Sequence, residues 1–197
     1  MGNNPANRAS GTSIDHKNRE KDDFYPTPPE ATLGLLSVEK FVGSIWECAC
    51  GDGAISKILF DRNMPVVSTD LVDRGYGTPK VDFLMEQKSL GDNIITNPPY
   101  KMANEFVLHA LSLKISKAAF LMRLGCLAGQ ERHSLFLLHP PARVWVISNR
   151  MNMWRNGAKP DRAVSNGMFD YAWFVWMAGF RGHTKLGWIN TKGLDNG

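Results

Sequence analysis

The sequence predicts an α/β fold, a mainly parallel sheet with helices on both faces. Three observations carry this. Short apolar runs of strand length alternate with amphipathic stretches of helix length from residue 44 to residue 147. A loop with two glycines joins the first of these strands to a helix, the connection at which open parallel sheets bind their ligands. A last apolar run, Met168 to Met177, follows a polar loop and not a helix, so it is expected to enter the sheet antiparallel.

Residues 1 to 22 mix Asn, Ser, Gly and charges without periodicity, which reads as a disordered tail. Pro26, Pro28 and Pro29 set an extended turn, and Pro29 with Glu30 suits the first turn of a helix reaching about Leu36. Ser44 to Cys48 reads as a strand, and Ala54 to Asp61 as a helix with Ile55, Ile58 and Leu59 on one face. Pro65 to Thr69 and Asn93 to Thr96 read as further strands. Met102 to Leu113 follows as a helix that gathers Phe106, Val107, Ala110 and Leu111 on one side. Ala118 to Met122 is then a strand, Gln130 to Leu138 a helix and Arg143 to Ile147 a strand, with the antiparallel run expected beside it. One domain over residues 23–180 is the organisation expected, with a candidate recognition loop at 148–167 and a C-terminal tail at 181–197.

Of the 197 residues, 43% are hydrophobic and 21% charged, which excludes fibrous and wholly disordered chains. The longest strongly apolar stretch, Tyr171 to Phe180, is about half the length needed to cross a bilayer. The polar N-terminus lacks the apolar core of a secretion signal, and Ala6 stands where a myristoylation signal carries Ser or Thr. Cys48, Cys50 and Cys126 form an odd, small set that suits a reducing compartment. A cytoplasmic protein without membrane contact is therefore expected. Net charge is +4, but residues 1–100 carry 10 basic and 14 acidic side chains, whereas residues 101–197 carry 13 and 5. A basic half is the footprint that a polyanionic partner requires, and equally that of a solvated surface.

The chemistry concentrates at the expected carboxyl ends of the strands. In Glu47-Cys48-Ala49-Cys50-Gly51-Asp52-Gly53 a strand runs into a glycine turn and then a helix, a backbone that a ligand can approach closely. The dinucleotide and phosphate-loop fingerprints are both absent, so NAD and ATP lack support. Asp70, followed by Leu71, lies 19 positions after Gly51 at the end of the second strand, placed to accept both hydroxyl hydrogens of a ribose. Asp82 and Phe83 offer an acceptor and an apolar ring for an adenine.

The sharpest signal is Thr96-Asn97-Pro98-Pro99-Tyr100 after an apolar strand. Two prolines make a rigid turn without donors, leaving the Asn97 amide and the Pro98 carbonyl projecting at the sheet edge. Two acceptors there can take the hydrogens of a planar amine, freeing its lone pair, while the Tyr100 ring can stack on an extruded base.

With these motifs in view, the chain resembles the class I S-adenosylmethionine-dependent methyltransferases, and within them the DNA adenine N6 enzymes of phage and prophage type. The resemblance runs from about Phe24 to Phe180. It implies a Rossmann-like, seven-stranded sheet with an antiparallel last strand, and S-adenosylmethionine as cofactor. Tyr25, Pro26 and Thr27 look like the segment that embraces the cofactor, Glu47 through Gly53 like the first cofactor motif, Asp70 like the ribose acid and Asp82-Phe83 like the adenine contact. Asn97 through Tyr100 resemble the catalytic tetrapeptide.

No separate recognition domain is expected in the residues after Met177, a departure from the restriction-modification enzymes. Recognition of DNA therefore falls to residues 148–167, where Arg150, Trp154, Arg155, Lys159 and Arg162 interleave charge and aromatic surface. No metal site is expected, because the Cys48–Cys50 pair has no second pair or His cluster to complete it. RNA bases and protein glutamine are alternative planar amines, and a nucleic-acid-binding relative without activity is the reading from another class.

Overall fold

A computed structural model describes residues 24–149, 151, 153 and 169–194. Four helices are described: α1 Pro29–Val38, α2 Ala54–Asp61, α3 Ala103–Ser112 and α4 Gln130–Leu138. The strands are β1 Ile45–Glu47, β2 Val66–Asp70, β3 Thr78–Pro79, β4 Asn93–Thr96, β5 Lys117–Arg123, β6 Arg143–Ile147, β7 Tyr171–Met177 and β8 Lys185–Ile189. They form one eight-stranded sheet in the order β3-β2-β1-β4-β5-β7-β6-β8.

Strand β7 is antiparallel to both neighbours, pairing Phe120 with Phe174 on one side and Val144 with Phe174 on the other. The remaining pairs are parallel. The carboxyl ends of β1, β2, β4, β5 and β6 therefore share one edge, and β7 starts there.

Six consecutive residues of β7 are buried, as a strand covered on both faces requires. On one face Phe106 of α3 and Leu135 of α4 pack with Trp46, Phe120, Phe174 and Trp176. On the other, Ala31 and Leu35 of α1 and Ile55 and Leu59 of α2 pack with Leu121, Trp173 and Val175. Burying one such side chain contributes about 1.5–3 kcal/mol, so these two layers are the main source of stability. The Trp173 indole also donates to the Ala31 carbonyl at 2.8 Å, which sets the height of α1 on the sheet.

At the opposite edge, Glu39 after α1 accepts from Lys117 Nζ at 2.8 Å, from Arg143 Nε and Nη2, and from Trp145 Nε1 at 2.9 Å. This carboxylate ties α1 to the first residues of β5 and β6. Burial alone would raise its pKa, but hydrogen bonds from Arg143, Lys117 and Trp145 outweigh that and hold it below the ordinary 4.5.

The α/β sheet with helices on both faces is as the sequence predicts, and so is the antiparallel β7 beside β6. Two strands differ from expectation. The first, β3, has two residues at the sheet margin and too little length to show a period. The second, β8, falls in residues 181–197, read as a tail, and makes the strand count eight instead of seven. It is the last strand and it runs parallel to β6, so the antiparallel strand is the penultimate one. Its pattern is masked because Leu186 and Trp188 are exposed, while Gly187 sits where a Cβ would meet the Trp145 ring.

Candidate active site

A cavity of about 340 Å³ opens at the carboxyl edge of the sheet, a size suited to a small ligand. Of the candidate residues, Tyr25, Pro26, Thr27, Glu47, Ala49, Gly51, Asp70, Leu71, Asp82, Phe83, Asn97, Pro98 and Pro99 line it, whereas Gly53 and Tyr100 do not.

The glycine loop is held from below by β2. The Cys50 N–H donates to the Thr69 carbonyl at 3.0 Å and the Gly51 N–H to Asp70 Oδ2 at 2.8 Å. Asp70 Oδ1 accepts from the Val72 N–H at 2.8 Å, so one carboxylate clamps the loop and its own turn. Each oxygen keeps a second lone pair. Gly51 and Gly53 have φ of 57° and 83°, a region that favours glycine. The space above them is filled by the chain itself, by the Phe24 ring over Gly51 and the Tyr76 ring over Gly53. Gly53 thus starts α2 and seats Tyr76, outside the cavity wall.

The donors of this loop are largely used within the protein. Besides Cys50 and Gly51, the Gly53 N–H donates to the Cys50 carbonyl at 2.8 Å and the Ala54 N–H to Asp52 Oδ1 at 3.2 Å. A phosphate cradle needs such N–H groups free. The wall instead carries Asp52, Asp70 and Asp82 against Arg74 and Lys101, a balance that favours a neutral or cationic ligand.

Glu47 is 2% exposed and accepts from Ser56 Oγ, which also lies 2.6 Å from Ser68 Oγ. Burial pushes its carboxyl well above the usual range, and the neighbouring Asp52 and Asp70 add to this, against the Ser56 hydrogen bond. Burial likewise pushes the Cys50 thiol up to about 12 and raises that of Cys48, so both wall cysteines are protonated thiols.

Farther along the wall, Asp82 Oδ1 accepts from the Leu84 N–H at 3.0 Å and starts a 3-10 turn at Phe83–Met85. This carries Phe83 into the core, its ring 5.1 Å from Trp46, 4.7 Å from Phe106 and 4.9 Å from His109.

Asn97 stands just beyond β4. Its Nδ2 donates to the Tyr25 carbonyl and to Thr27 Oγ1, both at 3.1 Å. A carbonyl can only accept, so the amide orientation is decided. Oδ1 is left buried without a hydrogen-bond partner. Pro98 is buried and Pro99 begins a 3-10 turn, Tyr100–Met102, that leads into α3.

The Tyr100 ring lies outside the cavity wall, stacked on Tyr25 at 5.9 Å and faced by the Arg123 guanidinium at 4.6 Å. Its hydroxyl donates to Met153 Sδ at 3.1 Å, and Arg123 also lies 3.8 Å over the Phe169 ring. To stack on a base, Tyr100 must exchange one of these neighbours for it. The segment Phe24 to Pro28 thus bridges the glycine loop and the Asn97-Pro98-Pro99 turn, with the Arg74 guanidinium 4.1 Å over Phe24 closing its outer side.

Sequence reasoning did not single out Arg74, Lys101 or Arg123. Lys101 follows Tyr100 directly, a signal of adjacency, but Arg74 and Arg123 reach the site only through the fold. The five candidate nucleic-acid contacts, Arg150, Trp154, Arg155, Lys159 and Arg162, lie outside the described residues. Among the described residues no group of His, Cys, Asp or Glu could hold a metal ion, and no helix is long and apolar enough to cross a membrane.

Neither a protein-family model nor a curated protein matches the sequence. Solved structures do match. A subunit from Vibrio vulnificus, provisionally assigned as the modification subunit of a type I restriction enzyme, is similar over 82% of this chain and 45% of its own, with 14% identity and a TM-score of 0.56. A dimethyladenosine transferase from Plasmodium falciparum is similar over 79% and 62%, with 15% identity and a TM-score of 0.54. An S-adenosylmethionine-dependent O-methyltransferase from Thermotoga maritima is similar over 78% and 66%, with 13% identity and a TM-score of 0.51. The chain thus spans under half of the first and under two thirds of the second. Their common likeness establishes a Rossmann-like fold of the class I methyltransferase type. Their acceptors differ in chemistry, so fold alone does not choose among them.

Proposed function

We propose that this chain transfers the methyl group of S-adenosylmethionine to the N6 amino group of adenine in DNA. The observation that carries the reading is the Asn97 amide, turned by two acceptors so that Oδ1 is left buried and unpartnered. A buried acceptor without a donor is costly, which makes it a seat for an N–H from outside. An oxygen acceptor as substrate would bring no such pair of hydrogens.

The cavity suits the cofactor on three counts. The loop withholds its N–H donors from phosphate, the wall is rich in carboxylates for a ligand bearing ammonium and sulfonium charge, and Asp70 keeps lone pairs for ribose hydroxyls. Bound S-adenosylmethionine would supply an electrophilic methyl there. The protein's part is positioning and acceptance of hydrogen bonds. Asn97 Oδ1 and the Pro98 carbonyl accept hydrogen bonds from the two amine N–H groups, drawing nitrogen toward a tetrahedral shape with its lone pair free; bonding to the methyl carbon would break its bond to sulfur, leave S-adenosylhomocysteine and release one amine proton to solvent. Gly51, Ala49 and Leu71 shape the pocket, Glu47, Asp82 and Phe83 close its inner wall, and Tyr25 and Pro26 cover it. The Tyr100 ring holds the extruded base.

DNA as acceptor is supported by the basic C-terminal half. Met153 at one end of residues 154–168 touches Tyr100, and Phe169 at the other stacks on Arg123. On this reading Arg150, Trp154, Arg155, Lys159 and Arg162, which lie outside the described residues, hold the strand by phosphate contacts and stacking.

The test is transfer of labelled methyl to unmethylated DNA, bulk RNA and bulk protein, the last for glutamine acceptors, in parallel, with nucleoside mass spectrometry of any labelled nucleic acid. N6-methyladenine in DNA is expected. Asn97→Ala should abolish transfer, at least about a hundredfold as for a lost transition-state acceptor, while calorimetric binding of S-adenosylhomocysteine persists. Label confined to RNA or protein overturns the substrate, and equal loss of binding and transfer in Asn97→Ala overturns the role of the amide.

A further inference from the structure

Thr27 belongs by resemblance to a cofactor-embracing segment, yet its closest polar contact is elsewhere. The residue is 5% exposed, and its Oγ1 receives one Nδ2 hydrogen of Asn97 at 3.1 Å, the other going to the Tyr25 carbonyl. The terminal torsion of an Asn side chain is soft and nearly two-fold, so its partners decide where the oxygen points. Two hydrogens meeting two acceptors fix both the tilt and the sense of the amide plane.

The sequence prepares this arrangement. In Tyr25-Pro26-Thr27-Pro28 each acceptor-bearing residue precedes a proline, which confines it to extended backbone, and Pro26 fixes the φ of its own position. The carbonyl and the hydroxyl are therefore presented by a stiff segment, itself pinned by Phe24 over Gly51 and by Tyr25 stacked on Tyr100.

We propose that Thr27 is a positioning residue for methyl transfer: its hydroxyl oxygen orients the Asn97 amide so that Oδ1 meets the substrate amine. The proposal rests on the reading of Asn97 given above and deepens it. It separates Thr27 from the cofactor contacts, because the hydroxyl acts through Asn97 and its loss disturbs the chemical step and not cofactor binding.

The experiment compares full-length wild type with Thr27→Val, which keeps the shape and removes the acceptor, and Thr27→Ser, which keeps the acceptor. Readouts are kcat and KM for labelled S-adenosylmethionine with unmethylated DNA, calorimetric titration with S-adenosylhomocysteine, and thermal melting. Thr27→Val is expected to lower kcat about tenfold, the worth of one buried hydrogen bond, with KM and the calorimetric affinity within about twofold of wild type. Thr27→Ser is expected to recover kcat to within about threefold of wild type.

Weakened cofactor binding at unchanged kcat would overturn the proposal, as would a Thr27→Val enzyme equal to wild type. So would a Thr27→Ser variant as impaired as Thr27→Val, since packing of the methyl group would then be at issue. Wild type that transfers nothing to DNA, RNA or protein would refute the amine-methylation reading itself and the Thr27 role with it, an outcome distinct from an active wild type with a normal Thr27→Val.

Discussion

Replacing Asp70 by Asn tests whether one side chain both builds the glycine loop and serves the ligand. In the structure its two carboxylate oxygens each accept a backbone N–H at 2.8 Å, one from Gly51 and one from Val72. An Asn amide has a single oxygen, so its NH2 group must face one of these N–H donors. One bond is lost and two donors are opposed. A hydrogen bond to a charged group contributes about 1.5–3 kcal/mol, and the residue is nearly buried, so about 2 kcal/mol is a fair value for the loss. For a domain of this size each kcal/mol moves the melting temperature by about 2–4 °C, giving a fall of about 4–8 °C. Calorimetric melting measures this directly. Titration with S-adenosylhomocysteine in the same samples should show affinity reduced by at least about tenfold, since a slackened loop and a weaker ribose acceptor act together. An Asp70→Asn protein that melts within about 1 °C of wild type would refute the clamp, whatever its affinity. A lowered melting point with unchanged affinity would refute the ribose role and leave the clamp standing.

Two further outcomes follow from the buried carboxylates. Glu39→Gln should cost about 3 kcal/mol at pH 7, the low end for breaking a buried ion pair, because Lys117 and Arg143 keep some solvent contact. Because its folded-state pKa lies below 4.5, the stabilisation is fully present above pH 4.5 and fades as pH falls through the folded value, so urea titrations of wild type and variant should converge in acid. Glu47 is displaced in the other direction. Its raised pKa keeps the carboxyl protonated in the free protein above pH 4.5, and a cationic ligand in the same cavity favours the ionised form. Binding of S-adenosylmethionine should therefore release a proton and tighten with rising pH until Glu47 ionises unaided. Calorimetry in two buffers of different ionisation enthalpy should detect that proton in wild type and miss it in Glu47→Gln.

Much of the site was legible in the sequence because its parts sit at the ends of strands. The acid of Asp70 and the turn of Asn97-Pro98-Pro99 each follow directly on an apolar run whose length and end are visible in the residues themselves. Position along a parallel strand then brings them to one edge without any further information. The surroundings of Gly53 were not legible for a physical reason: a glycine with positive φ signals a tight turn, but what fills the space above it depends on a ring 23 positions away, that of Tyr76. Arg123 was hidden similarly, because it reaches Tyr100 only after β4 and β5 have paired. Strand β8 escaped since Leu186 and Trp188 point to solvent and only Ile189 at its end is buried, which leaves no alternation of the kind that marks a half-buried strand.

The place of β7 bears on how the chain is made. It lies between β5 and β6, both of which precede it in the sequence, and it forms a full-length pairing with β5, from Lys117 with Met177 to Arg123 with Tyr171. During synthesis those two strands must wait with a gap between them until residue 177 has left the ribosome, each presenting an unpaired edge and apolar faces to its surroundings. Until then β5 is held only along its β4 edge, and β6 has no strand partner at all, since β8 also follows it in the sequence. The molecule is thus completed by insertion and not by accretion, and the rim that carries Arg123, Tyr100 and Tyr171 comes into being only at that closing step.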